Sequence, residues 1–174
     1  IYYNHGNIDG NSANPSAGIK KSIEYLNKAI KIQNELKMYN VLAGSLNALG
    51  GVYEKHGDPE CEGPKTVCFE EGKKKAYSLY LEALKIREEI RDSAGLSQSY
   101  YSLANSFIYQ KKLSKGLNFA RKSYLIGKRL GNPERMMGAS ALLKIIYEKQ
   151  GKYKDAFEMF EVNIKMKDSL SNEE

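Results

Sequence analysis

Leu46-Asn47-Ala48-Leu49-Gly50-Gly51-Val52-Tyr53 leads into a turn at Gly57-Asp58, and the pattern resumes with Ala76, Tyr80 and Ala83. Steps of three and four residues place Leu46, Leu49, Gly50 and Tyr53 on one helix face. They do the same for Ala76, Tyr80 and Ala83 on a second helix. The arrangement recurs. Tyr100, Leu103, Ala104 and Phe107 precede Gly116, Ala120 and Ser123, while Leu143 and Tyr147 precede Gly151, Tyr153, Ala156 and Phe160. Ala76, Gly116 and Ala156 are forty residues apart, as are Tyr80, Ala120 and Phe160. A fixed period of this length marks an array of helical units, each burying its apolar face against its neighbours.

Working outward, Ile1-Tyr2-Tyr3-Asn4-His5-Gly6-Asn7 parallels Val52-Tyr53-Glu54-Lys55-His56-Gly57-Asp58. The chain therefore opens near the end of a first helix A. Ser22, Leu26 and Ala29 stand where Ala76, Tyr80 and Ala83 stand in the next repeat. The pattern predicts seven further helices, at 18–38, 40–56, 70–91, 94–110, 114–131, 133–150 and 153–170. They form a single domain: a partial repeat over 1–38, then repeats over 40–91, 94–131 and 133–170.

The spacing Leu46…Leu49-Gly50…Tyr53 with Ala76…Tyr80…Ala83 resembles the tetratricopeptide repeat. That resemblance implies an all-α, right-handed superhelical stack of antiparallel helix hairpins. Small residues such as Gly50 and Ala76 let paired helices approach, and Tyr53 and Tyr80 fill the gaps between hairpins. The sequence departs from the family pattern at Lys144, where a small residue is expected, and at Asn163, which replaces the second Ala of helix B. Its forty-residue period also exceeds the family's roughly 34.

From helix-A aromatic to helix-B small residue the compact repeats take nine residues, Phe107 to Gly116 and Tyr147 to Ala156. The first repeat takes twenty and the second twenty-three. Inserted loops are thus expected at 4–18 and 59–72, on the same edge of the stack. Such loops are tolerated as surface decoration and are also where function concentrates. The only cysteines, Cys61 and Cys68, both fall in the second insertion. They suit a local disulfide in an oxidising compartment and thiols in the cytoplasm. A zinc site with His56 lacks paired Cys-x-x-Cys spacing, so no metal or other cofactor is expected.

Composition sets the outer bounds. The 174 residues are 41% hydrophobic and 28% charged, with a formal net charge of +6. That describes a folded chain without a run apolar enough for a membrane span. Lys and Arg are spread along helices opposite the apolar positions, and only Lys73-Lys74-Lys75 forms a run, so nucleic acid is not the expected partner. There is no phosphate-cradling loop, metalloprotease His pair or nucleophile elbow, so the fragment is not expected to be an enzyme.

The resemblance implies binding instead, on a concave face lined by helix A. Its groove positions are Asn47, Gly51 and Glu54, then Gln98, Tyr101, Asn105 and Ile108, then Ala141, Ile145 and Glu148. Asn and Gln there suit an extended peptide backbone, with Tyr101 and Ile108 receiving its side chains. Family members that grip terminal carboxylates use Lys, Arg and Asn. The corresponding positions here hold Asn47, Gly51, Ser102, Gly138 and Leu142, so that clamp is missing.

The tail Lys167-Asp168-Ser169-Leu170-Ser171-Asn172-Glu173-Glu174, with the run Ala83–Ile90, is similar to repeat sensor regions of bacterial two-component histidine kinases and regulators. The resemblance implies a sensing region of a membrane-anchored signalling protein, facing the periplasm. The alternative is a free-standing scaffold for multiprotein assembly. Phe157, Phe160, Ile164 and Leu170 form an apolar stripe with no following helix A, which downstream sequence or a second subunit, as in a homodimer, would cover.

Overall fold

The apolar periodicity resolves into seven helices: α1 (Pro15–Glu35), α2 (Tyr39–His56), α3 (Lys65–Glu89), α4 (Ser93–Tyr109), α5 (Leu113–Arg129), α6 (Pro133–Lys149) and α7 (Tyr153–Ser171). They belong to a computed structural model that describes residues 15–171, within which there is no strand. The expectations for Ile1–Asn7, including His5, and for Asn172, Glu173 and Glu174 lie outside the described residues. None of the described helices is long and apolar enough to cross a membrane.

Helix ends repeat as regularly as the core. Arg91, Lys111, Gly131 and Gly151 all adopt left-handed backbone, with φ of 55°, 59°, 60° and 72°, at intervals of twenty residues. At each, two reversed hydrogen bonds close the preceding helix. Asp92 N–H donates to the Arg87 carbonyl (3.0 Å) and Arg91 N–H to the Glu88 carbonyl (3.2 Å); Lys112 and Lys111 do the same on Phe107 and Ile108. This is the Schellman arrangement, which satisfies carbonyls the helix end leaves unpaired. The next helix then starts at once, α4 on Asp92, whose Oδ1 accepts from Gly95 N–H (2.8 Å), and α6 on Asn132, whose Oδ1 accepts from Arg135 N–H (2.9 Å).

Short connections make sequence neighbours antiparallel partners. Helices α2 and α3, α4 and α5, and α6 and α7 pack as pairs, and α2, α4 and α6 also touch one another in that order. The result is a helical-repeat architecture in which α2, α4 and α6 share one layer. Buried Ala and Gly sit at the crossings. Ala76, Ala83, Ala104 and Ala120 are fully inaccessible. An added Cβ on Gly50 would stand 2.5 Å from Tyr80 Cε1, so Gly50 is the space the Tyr80 ring occupies. Phe107 and Phe119 stack at 5.7 Å, and Tyr77 meets Phe107 edge-on at 5.6 Å.

Lys144 and Asn163, which stand where the repeat spacing expects small residues, have local physical compensation. The second small position of helix B faces the start of helix A in each pair. It is Ala83 beside Ala43 in the first pair, both buried. In the second it is Ser123 bonded reciprocally to Ser97, Oγ to carbonyl at 2.9 and 3.1 Å. In the third, Asn163 donates to the Met137 carbonyl at 2.7 Å. Lys144 lies along α6 with its ammonium 3.1 Å from Glu148 and over the Phe160 ring. The polar replacements thus keep their hydrogen bonds while occupying crossing positions.

Three expectations change. Both helix B segments next to insertions start early: α1 at Pro15, inside the expected 4–18 loop, and α3 at Lys65, inside the expected 59–72 loop. Helix α3 begins eleven residues before Ala76, whereas α5 begins three before Gly116, so much of the second insertion is two added helical turns. Ser22 does not take the place of Ala76. It is exposed, and α1 turns Ile19, Ile23, Leu26 and Ile30 inward instead, because a bulky face is needed where no small-residue crossing forms. At the other end, Phe157, Phe160 and Ile164 are exposed as expected for an uncovered face, but Leu170 is half-buried.

Candidate ligand-binding groove

Three adjoining hollows run along the layer of α2, α4 and α6. The first, of about 600 Å³, lies between α2, α3 and α4 and holds Asn47, Gly51, Glu54, Tyr101 and Asn105 together with Phe69, Lys73, Tyr80 and Tyr109. The second, of about 790 Å³, shares Asn47 and Ser102 with it and continues past Gln98 to Glu134 and Arg135. The third, of about 280 Å³, shares Tyr101, Gln98, Glu134 and Arg135 and ends at Met137 and Gly138. Shared walls make them one groove across three repeats.

Helix spacing explains the first hollow. Asn47, Gly51 and Glu54 follow at four and three residues along α2, and Tyr101 and Asn105 at four along α4. On α3, Phe69, Lys73, Ala76 and Tyr80 form one stripe at intervals of four, three and four. The Gly57–Gly72 crossing brings that stripe over the groove. Gly72 packs on Gly57 backbone to backbone, so an added Cβ would meet Gly57 Cα at 2.5 Å and the Tyr53 carbonyl oxygen at 2.7 Å. Gly57 itself has φ 76°, and Asp58 N–H donates to the Cys68 carbonyl at 2.9 Å.

The connecting loop is held at several points. Cys61 and Cys68 form a disulfide with Cα atoms 5.4 Å apart. Asp58, almost fully buried, meets the Lys75 ammonium at 2.7 Å and accepts from Glu60 N–H at 3.2 Å. Burial alone would raise the Asp58 carboxyl, but Lys75 and the Glu60 amide together hold it below its ordinary value.

Two oxygens on the polar floor of the first hollow lack a hydrogen bond. Tyr80 Oη donates to Glu54 Oε2 at 3.3 Å, while Glu54 Oε1 is shielded from water and has no hydrogen-bond partner. Asn47 donates from its amide nitrogen to Ser102 Oγ at 3.5 Å, leaving its oxygen buried and unpaired. Burial pushes the Glu54 carboxyl above the usual glutamate range, and Ser106, Tyr80, Asn105 and Lys73 offset only part of that rise. Burial likewise drives the Tyr80 and Tyr101 phenols upward, so both remain neutral donors.

The remaining sequence candidates separate. Gln98 lines the two further hollows. Ile108 does not line the groove; it turns inward and packs toward Gly116, whose added Cβ would touch it at 3.5 Å. Ala141, Ile145 and Glu148 border none of the three hollows, and Glu148 is engaged with Lys144. Of the groove residues that the helix-A spacing missed, Phe69, Lys73 and Tyr80 carry a readable signal, a stripe of threes and fours that starts within the insertion. Glu134 and Arg135 enter from the first turn of α6, which only the stacking of repeats brings near Gln98.

The fold and groove place the chain among helical-repeat proteins. No protein-family model matches it, and no curated protein does. Among solved structures it is similar to BtubC (BKLC) from P. vanneervenii, with a TM-score of 0.70 at 15% identity over 89% of this chain. The chain spans 59% of the length of that protein, and at this identity the likeness concerns the fold alone.

Proposed function

We propose that this chain is a non-catalytic, tetratricopeptide-type binding module that holds an extended protein segment along the α2–α4–α6 layer. The observation that carries the reading is the continuity of the groove across three repeats, with amide, hydroxyl and carboxyl groups on its floor and tyrosines on its walls. Polar groups spaced along a trough suit the alternating donors and acceptors of a peptide backbone, and rigid aromatic rings suit its side chains. A superhelical curvature of the stack, with this layer on the inner side, is part of the same proposal.

For the parent protein, the tail from Lys167 supports a sensing region of a bacterial membrane-anchored signalling protein. The Cys61–Cys68 disulfide supports an oxidising compartment such as the periplasm. The test is selection of peptides from a displayed random library, followed by titration against Tyr101→Ala and Asn105→Ala. Both variants are expected to keep the helical spectrum and lose about tenfold or more in affinity. Peptides that bind both variants as well as the parent chain would place the site elsewhere.

A further inference from the structure

We infer that the hollow between α2, α3 and α4 is a pocket for a basic side chain, the guanidinium or ammonium of an Arg or Lys in the bound segment, seated on Glu54. The inference rests on the groove being a peptide site and names what its first hollow accepts.

The reasoning starts from what the pocket lacks. Glu54 Oε1 and Asn47 Oδ1 are both acceptors shielded from water and without a hydrogen bond of their own, although the Asn105 and Ser106 side chains stand beside the Glu54 carboxyl, and both residues line the same cavity of about 600 Å³. The remaining carboxylate oxygen has one long bond from Tyr80. Leaving acceptors unpaired in a protein interior is costly, and more so for a carboxyl than for an amide. A ligand that brings several N–H groups removes that cost, and one that also brings positive charge stabilises the ionised carboxylate at the same time.

The walls fit the same ligand. Phe69, Tyr80, Tyr101 and Tyr109 surround the cavity. Aromatic rings in a lining attract a cation and pack on the methylene stem that carries it, and Tyr101 and Tyr109 are less buried than Tyr80. The two lysines in the lining do not fill the place. The Lys73 charge reaches Glu54, but its ammonium is bonded to Glu70 at 2.6 Å, and Lys55 is exposed in the last turn of α2. A carboxylate ligand would confront Glu54 and find no donor at the buried Glu54 and Asn47 oxygens, so an acidic segment is disfavoured.

The experiment titrates the isotope-labelled protein with blocked, alanine-rich hexapeptides that differ at one central residue: Arg, Lys, citrulline, norleucine or Glu. Amide shifts of Asn47, Gly51 and Asn105 report the pocket, and those of Gln98 and Gly138 report the rest of the groove. The Arg and Lys peptides are expected to move the pocket amides and to bind at least about tenfold tighter than the citrulline and norleucine peptides. Glu54→Gln should erase that preference, bringing the Arg and Lys peptides to the affinity of the citrulline and norleucine peptides. Equal binding of Arg and citrulline peptides, tighter binding of the Glu peptide, or an Arg preference that survives Glu54→Gln overturns the pocket while shifts at Gln98 and Gly138 preserve the groove. No shift anywhere in the groove with any peptide overturns the groove reading itself.

Discussion

Replacing Gly72 with Ala tests the joint on which the groove's third wall depends. Gly72 is buried in α3 where that helix crosses the end of α2. A Cβ there would lie 2.5 Å from Gly57 Cα, 2.6 Å from Gly57 C and 2.7 Å from the Tyr53 carbonyl oxygen. Ordinary carbon contacts begin near 3.5 Å, so α3 must retreat by roughly 1 Å, and no flexible side chain is available to absorb the shift. Overpacking of this kind costs about 1–3 kcal/mol or more, whereas Ala in a helix gains about 1 kcal/mol over Gly. The net loss is up to about 2 kcal/mol, or a fall of up to roughly 8 °C in Tm for a chain of this size. Gly44→Ala in α2 is the matched control, because nothing lies within 4 Å of its added Cβ, and it should raise Tm by about 2–4 °C. Thermal unfolding followed by circular dichroism measures both. Hydrogen exchange at Phe69 and Lys73 then shows whether the loss is local to the α3 extension, as expected for a repeat array. If Gly72→Ala stabilises as much as Gly44→Ala, the backbone-to-backbone crossing is not there, and the position of Phe69 and Lys73 in the groove loses its physical basis.

Other perturbations probe other parts of the argument. Burial places the Glu54 carboxyl above its ordinary 4.5, with Tyr80 and Lys73 from α3 and Asn105 and Ser106 from α4 facing it. The folded state therefore holds this proton more tightly than the unfolded chain. Its contribution is complete below pH 4.5 and is lost as pH rises through the folded value, so Glu54→Gln should raise stability at pH 7 and remove that slope from a denaturant series across pH. Lys111 has φ 59° at a helix end where glycine has no steric penalty, so Lys111→Gly should stabilise by about 0.5–1 kcal/mol, read as a higher Tm. Reducing Cys61–Cys68 should destabilise by about 2–3 kcal/mol in the chain-entropy model, with faster exchange confined to the 57–72 segment and unchanged protection in α5 and α6.

Gain of stability on neutralising Glu54 would carry a second meaning. A buried carboxyl that weakens the fold is what the proposed pocket for a basic side chain expects at this position. The same variant therefore links the stability measurement to the peptide titration, and it is expected to fold well enough for both.

The sequence by itself determined that the chain is a run of helices, because the steps of three and four between Leu46 and Tyr53, or between Ala76 and Ala83, are local properties that only a helix converts into one face. It also marked the crossings. Gly50, Ala76, Ala104 and Ala120 are small for the reason their spacing suggested, and Asn47, Gly51, Glu54, Tyr101 and Asn105 fall together because helical phase carries them there. Tertiary structure decided what depends on how far one helix leans on another. Pro- and Gly-rich composition made 59–72 read as a loop, yet packing of Gly72 on Gly57 winds its second half into α3 and makes Phe69 and Lys73 groove walls. Ile108 shares the helical phase of groove residues but turns inward, because Gly116 leaves space beneath it that an apolar side chain fills. The inward face of α1 is likewise set by what it meets: with no small-residue crossing, burial selects Ile23 over the neighbouring Ser22. Local periodicity fixes a residue's direction on its own helix, but which neighbour stands there, and at what distance, is a property of the assembled repeats.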